Sequence, residues 1–215
     1  PIKYPFHISE YAHSMGNAGG NLVDYWKAIE STNFICGAAI WDWVDQALYA
    51  YDPATGDRYW AYGGDFGDKP NSGMFCMNGI LLPDHSPKPV FHEVKRIYQN
   101  VGVEPVDMTQ GRIAIFNKHY FTTLAGYRIV WTLYRDGEPV ARGDALRKIV
   151  GPRERVEYTI PYDYAALDPA GEYFVTVQFL LAEDKPWAEA GFVQMEEQLE
   201  VKAAGAEPSM TELTA

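Results

Sequence analysis

Cysteine is scarce in this chain, and basic residues are outnumbered. The only two cysteines, Cys36 and Cys76, stand in different kinds of segment. That excludes a disulfide framework and a zinc spacing, and both are expected to be small buried hydrophobes. Against 29 Asp and Glu there are 18 Lys and Arg, a formal net charge of −11. No basic stripe is left to neutralise phosphates, so a nucleic-acid partner is excluded and a neutral or cationic ligand is favoured. No stretch approaches the roughly 18 apolar residues that a membrane span requires, and no membrane partner is expected. There is no internal repeat. The opening, Pro1-Ile2-Lys3-Tyr4-Pro5, has neither an initiator Met nor a signal-peptide layout. It reads as a piece of something longer, whose targeting signal would sit upstream, so that last absence decides nothing.

What is present is an ordinary globular composition: 215 residues, 47% hydrophobic and 22% charged, enough for one large domain or two small ones. The pattern changes near residue 100. Before it, Tyr4 to Ser9 predicts a buried strand ending at Glu10. Leu22, Trp26 and Ile29 follow at helical spacing within residues 21–31, and Phe34 to Ile40 reads as a buried parallel strand. A long loop is expected from Gln46 to about Pro87, then a helix over residues 88–99 with Pro89 in its first turn. This is a β/α unit pair, and in a β/α barrel the strands' C-terminal ends carry the active site. Beyond Gly102 the pattern becomes all-β: residues 112–118, 127–135, 139–149, 153–160 and 172–181, and a run closing near Val201. Asp136-Gly137, Gly151-Pro152 and Pro169-Ala170-Gly171 mark turns. About seven strands suggest an immunoglobulin-like β-sandwich. The expected division is 1–99 for the barrel part and 100–202 for the sandwich, with 203–215 a loose tail.

Several segments could carry chemistry. Glu10, at a strand end in Ser9-Glu10-Tyr11-Ala12-His13-Ser14-Met15-Gly16-Asn17, could aim a carboxylate at an anomeric carbon, or could be a salt-bridged or capping residue before a helix. His13 could donate to a sugar hydroxyl or be a polar neighbour satisfied locally. Trp41-Asp42-Trp43-Val44-Asp45-Gln46 joins aromatic faces, which suit the C–H face of a pyranose, to carboxylates that accept from hydroxyls. The alternative is core aromatics beside solvated acids. Gly63-Gly64-Asp65-Phe66-Gly67-Asp68 is favoured as a structural turn closed by Asp side chains. In Phe75-Cys76-Met77-Asn78-Gly79, an amide oxygen and a main-chain carbonyl offer hard donors for a monovalent cation.

Taken together and in this order, these strings resemble the family 2 β-galactosidases of the large bacterial type, from about Pro5 to Val201. The weaker Asp136-Gly137-Glu138-Pro139 and Trp187-Ala188-Glu189-Ala190-Gly191 stretches extend the resemblance. It implies the C-terminal portion of a (β/α)8 TIM barrel followed by an immunoglobulin-like sandwich, and a retaining hydrolysis of terminal β-galactosyl groups. Glu10 would be the nucleophile, His13 a sugar-hydroxyl contact and Trp41 the platform under galactose. The Phe75 carbonyl and the Asn78 side chain would form part of a sodium site beside the sugar's 6-hydroxyl. The parent enzyme would use sodium and magnesium, the magnesium ligands lying outside this chain, and would be a homo-oligomer. Its partners would be a β-galactoside and the remainder of the polypeptide. The sequence departs from the family in one decisive respect. The acid/base Glu follows an Asn, and this chain contains no Asn-Glu dipeptide. The isolated chain is therefore expected to be inactive. A non-catalytic sandwich module for binding or assembly is the alternative, as is a sister activity, β-glucuronidase or β-mannosidase.

Overall fold

In the computed structural model, which describes residues 3–145 and 149–202, the chain opens with two parallel strands. They are β1 (Phe6–Tyr11) and β2 (Ile35–Ile40). Between them runs helix α1 (Leu22–Glu30), with Asp24 in its first turn at the positive end of the helix dipole. Its first amide, Leu22 N–H, donates to Glu93 Oε1 at 2.9 Å. Glu93 lies on helix α2 (Pro89–Ile97), which starts on Pro89 and ends with Lys95 and Arg96, the signs the dipole favours. Leu22, Val94, Ile80, Leu81 and Tyr11 form the buried centre of this half, with Ile8, Ala38 and Ile40 packed against it.

The strands depart from expectation in two ways. β1 runs two residues past Ser9, so Glu10 lies within it. Neither strand is fully buried, since Phe6 and Cys36 are exposed. A parallel strand buries both faces only when both are covered. Here the described elements form a two-stranded sheet, of which Ile8, Ala38 and Ile40 pack against the buried centre. Cys36, on β2, is exposed for the same reason, and Cys76, in a turn before Asn78, is half-buried, so neither is the buried hydrophobe expected. The expected long loop also contains an antiparallel hairpin, β3 (Leu48–Tyr51) with β4 (Arg58–Ala61). Its turn is closed by Asp52 Oδ1, which accepts from Ala54 N at 2.7 Å and Thr55 N at 3.1 Å. The Tyr49 and Trp60 rings stack across it at 3.8 Å.

The chain divides between Tyr98 and Gln99 into two units. The second holds two antiparallel sheets. One orders β5 (Val101–Asp107), β6 (Arg112–Asn117) and β9 (Arg155–Thr159). The other is β11–β10–β7–β8, built from β7 (Tyr127–Arg135), β8 (Glu138–Ala145), β10 (Tyr173–Leu181) and β11 (Val193–Lys202). Alternate residues of both sheets meet in one core. Val103, Ile113, Ile115 and Val156 belong to the first sheet; Ile129, Trp131, Leu133, Val175, Val177 and Phe179 to the second. This is a sandwich-like arrangement. Asp136 and Gly137 take positive φ of 50° and 85° at the β7–β8 turn, the geometry that an Asp-Gly hairpin supplies. Residues 203–215, expected as a tail, and part of the expected 139–149 strand lie outside the described residues. Among the described residues no helix is long and apolar enough to cross a membrane.

Candidate active site

Three segments of the first unit are laced together by backbone hydrogen bonds. At the end of β1, Tyr11 O accepts from Trp41 N at 3.1 Å, and just beyond it Ser14 N donates to Trp41 O at 2.9 Å. On its other side, the segment after β2 meets residues 76–81. Asp42 N donates to Asn78 O at 2.6 Å, Ile80 N to Asp42 O at 2.9 Å, Leu81 N to Trp43 O at 3.0 Å and Gln46 N to Cys76 O at 2.9 Å. The Trp41–Asp42 peptide is cis. Trp41 and Asn78 thus sit on stretches tied together by main-chain hydrogen bonds, and His13 lies between the bonded Tyr11 and Ser14. Tyr11, directly after Glu10, is buried, and its hydroxyl accepts from Trp26 Nε1 at 3.0 Å and meets the Tyr98 hydroxyl at 2.7 Å. Partial burial, and then that contact, raise the Tyr98 pKa.

Glu10 is exposed, and its carboxylate has no hydrogen bond or ion pair among the described residues. His13 is half-buried, with its ring 5.8 Å from that of Phe75. Trp41 is 42% exposed, so part of the residue is open to solvent. Asn78 is buried, and its Nδ2 donates to Phe75 O at 3.1 Å. Its Oδ1 is buried without a hydrogen-bond partner among the described residues. A buried amide oxygen left unpaired calls for an explanation, and a bound cation is one.

The two carboxylates of the Trp41–Gln46 string are turned to the protein. Asp42 accepts from Trp43 N and from Gln46 Nε2, each at 2.6 Å. Asp45 is buried. Its oxygens meet Lys88 Nζ, each at 2.7 Å, and Oδ1 also accepts from Gly79 N at 2.8 Å. The glycine-rich loop behaves as the structural turn expected. Asp65 accepts from Tyr62 N and Asp68 from Gly64 N, both at 2.9 Å.

Two residues that shape the site were not singled out in the sequence. A Cβ on Gly79 would lie 2.2 Å from Val44 C and 2.3 Å from Asp45 N, so no other side chain fits there. Lys88 carried one usable signal. It is a cation at the N-cap position of α2, where the helix dipole disfavours positive charge, and it needs a carboxylate partner.

Two parallel strands joined through a helix, with Glu10 near the end of the first and Trp41 directly after the second, define a β/α unit. The chain belongs to glycosyl hydrolase family 2: residues 2–103 match the family's TIM barrel domain, and residues 113–202 match β-galactosidase domain 4. A β-galactosidase of Priestia megaterium is 41% identical over 97% of this chain, and one of Psychromonas ingrahamii 36% identical over 91%. The chain covers 20% and 19% of those two proteins, about a fifth of their length. Among solved structures, a Bacteroides uniformis β-glucuronidase aligns with 92% of this chain and 22% of its own at 12% identity and a TM-score of 0.29. That superposition is too loose to speak for the fold.

Proposed function

We propose that this chain is the part of a retaining β-galactosidase that holds the nucleophile and one wall of the galactose pocket. The observation that carries the reading is the 41% identity to a β-galactosidase over 97% of the chain. In this reading residues 1–99 are the last two β/α units of a (β/α)8 barrel and residues 100–202 an immunoglobulin-like sandwich. The β5–β6–β9 and β11–β10–β7–β8 strand orders support the second assignment.

Glu10 attacks the anomeric carbon and forms a glycosyl ester as the leaving oxygen departs. A second carboxylate, roughly 5 Å away in retaining enzymes, first protonates that oxygen and then activates the water that cleaves the ester. His13 donates to a sugar hydroxyl, and the Trp41 ring covers the C–H face of the pyranose. The buried, unpaired Asn78 Oδ1 and the adjacent Phe75 carbonyl fit a hard monovalent cation, which prefers oxygen donors. Sodium bound there would supply positive charge to orient the sugar's 6-hydroxyl. Magnesium ligands and the acid/base Glu belong to the rest of the parent polypeptide, and the parent is a homo-oligomer.

Loss of general-acid catalysis typically costs about 10²–10⁴-fold, so the purified chain should give only background with an aryl β-galactoside. Turnover abolished by Glu10→Gln would contradict that inactivity. In the parent enzyme, a 2-fluorogalactoside that stalls the glycosyl-enzyme should label Glu10. A label mapped to Asp42, Asp45 or Asp65 would overturn the assignment.

A further inference from the structure

The Asp45–Lys88 pair makes no hydrogen bond, among the described residues, to those given a role above, yet it is among the most enclosed polar contacts of the first unit. The Asp45 side chain is 1% exposed and that of Lys88 11%. Enclosed ion pairs are weak sources of stability, because desolvation cancels most of the attraction; they are better at fixing one arrangement. The arrangement fixed here is specific. Asp45 Oδ1 also accepts from Gly79 N at 2.8 Å, so the carboxylate ties the N-terminus of α2 to the turn after Asn78. Gly79 lacks a side chain, which lets the turn lie directly against Val44 and Asp45. The preceding residue presents the buried, unpaired Oδ1, and its main-chain oxygen accepts from Asp42 N at 2.6 Å.

We infer that Asp45 and Lys88 are positioning residues: through Gly79 they hold the Asn78 amide oxygen where a cation and the galactose 6-hydroxyl meet it. The inference rests on the cation reading of Asn78 given under Proposed function. Lys88 keeps the carboxylate in place, and the contact that does the positioning is the hydrogen bond from Gly79 N to Asp45.

Two neutral double variants of the full-length parent separate this from a structural role. Asp45→Asn with Lys88→Met keeps an acceptor for Gly79 N–H; Asp45→Leu with Lys88→Met removes it. Sodium affinity is read by 23Na NMR and by the sodium-chloride-dependent shift in Tm, with choline chloride holding ionic strength constant. Galactoside affinity is read with isopropyl thiogalactoside. Outer partners of metal ligands typically change affinity by about 10–100-fold. The Leu variant should therefore bind sodium at least about tenfold more weakly, with weaker thiogalactoside binding. The Asn variant should stay within about threefold of the unmodified enzyme on the same scale. A folded Leu variant with unchanged affinities overturns the inference. If the Leu variant does not fold, the Asn variant decides: lost affinity in a folded protein overturns the inference, and retained affinity supports it. Failure of the unmodified parent to bind sodium would sink the cation reading instead, while thiogalactoside affinity would still decide the positioning role.

Discussion

Gly79 shows how closely two segments of the site approach one another. An alanine methyl there would sit 2.2 Å from Val44 C, less than any real contact, and the obstacle is backbone rather than a mobile side-chain end. Overpacking of this kind usually costs about 1–3 kcal/mol. Gly79→Ala should therefore weaken amide-exchange protection at residues 42–46 and 78–81 while leaving β7 and β10 of the second unit unchanged. Unaltered protection across residues 42–46 would mean the segments part without cost. At this scale the sequence is readable where chemistry is concentrated. Glu10, His13, Trp41, Phe75 and Asn78 stand out as unusual residues in short strings, and backbone hydrogen bonds gather the segments that bear them. Asp45 does not betray its burial. Its partner Lys88 lies 43 positions away in sequence, and a pairing at that distance leaves no local periodicity. The text around Asp45 resembles a sugar-facing acid, whereas the carboxylate is turned inward to Lys88 and Gly79.

Among the elements, those with a long apolar rhythm were the legible ones. β7 and β10, nine residues each, send alternate residues into the core over enough length to be read, and α1 and α2 carry clear stripes. The hairpin β3–β4 is not legible, because four-residue strands give a period of two almost no room. Its aromatics, stacked across the ladder, hold it instead. The exposure of β1 and β2 was missed because an apolar run reports what a strand can bury, not what is there to cover it. Connections between elements carry a testable pH dependence. After β9, the Tyr162 hydroxyl donates to the Met108 carbonyl, just beyond β5. Burial first, then the nearby Tyr164 and Asp107, push its pKa from 10.0 up to about 12. The neutral phenol is thus favoured in the folded chain. Its contribution is complete below pH 10 and is lost as pH rises toward about 12. The difference in urea midpoint between the unmodified chain and Tyr162→Phe should shrink across that window. A difference that stays constant with pH would refute the link.

At the scale of the whole chain, the two units differ in how far their interiors are filled. Among the described residues, the second unit's core contains eighteen buried hydrophobic residues and the first unit's centre five. The second unit therefore has the means to stand alone, as a sandwich of about a hundred residues ordinarily does. The first, with a two-stranded parallel sheet, calls for more cover than the described elements give it. Cys36 turns that difference into a clock. Its thiol is exposed on β2, with Phe6 O the acceptor at 3.4 Å, and alkylation speed depends on access as well as on thiolate fraction. Iodoacetamide should modify Cys36 in the isolated chain faster than the half-buried Cys76. The same reagent should slow sharply at Cys36 once the remaining parent polypeptide is supplied and closes over β2. An unchanged rate after assembly would mean that this edge faces solvent in the complete enzyme. A slowed one would time how the proposed barrel closes over β2.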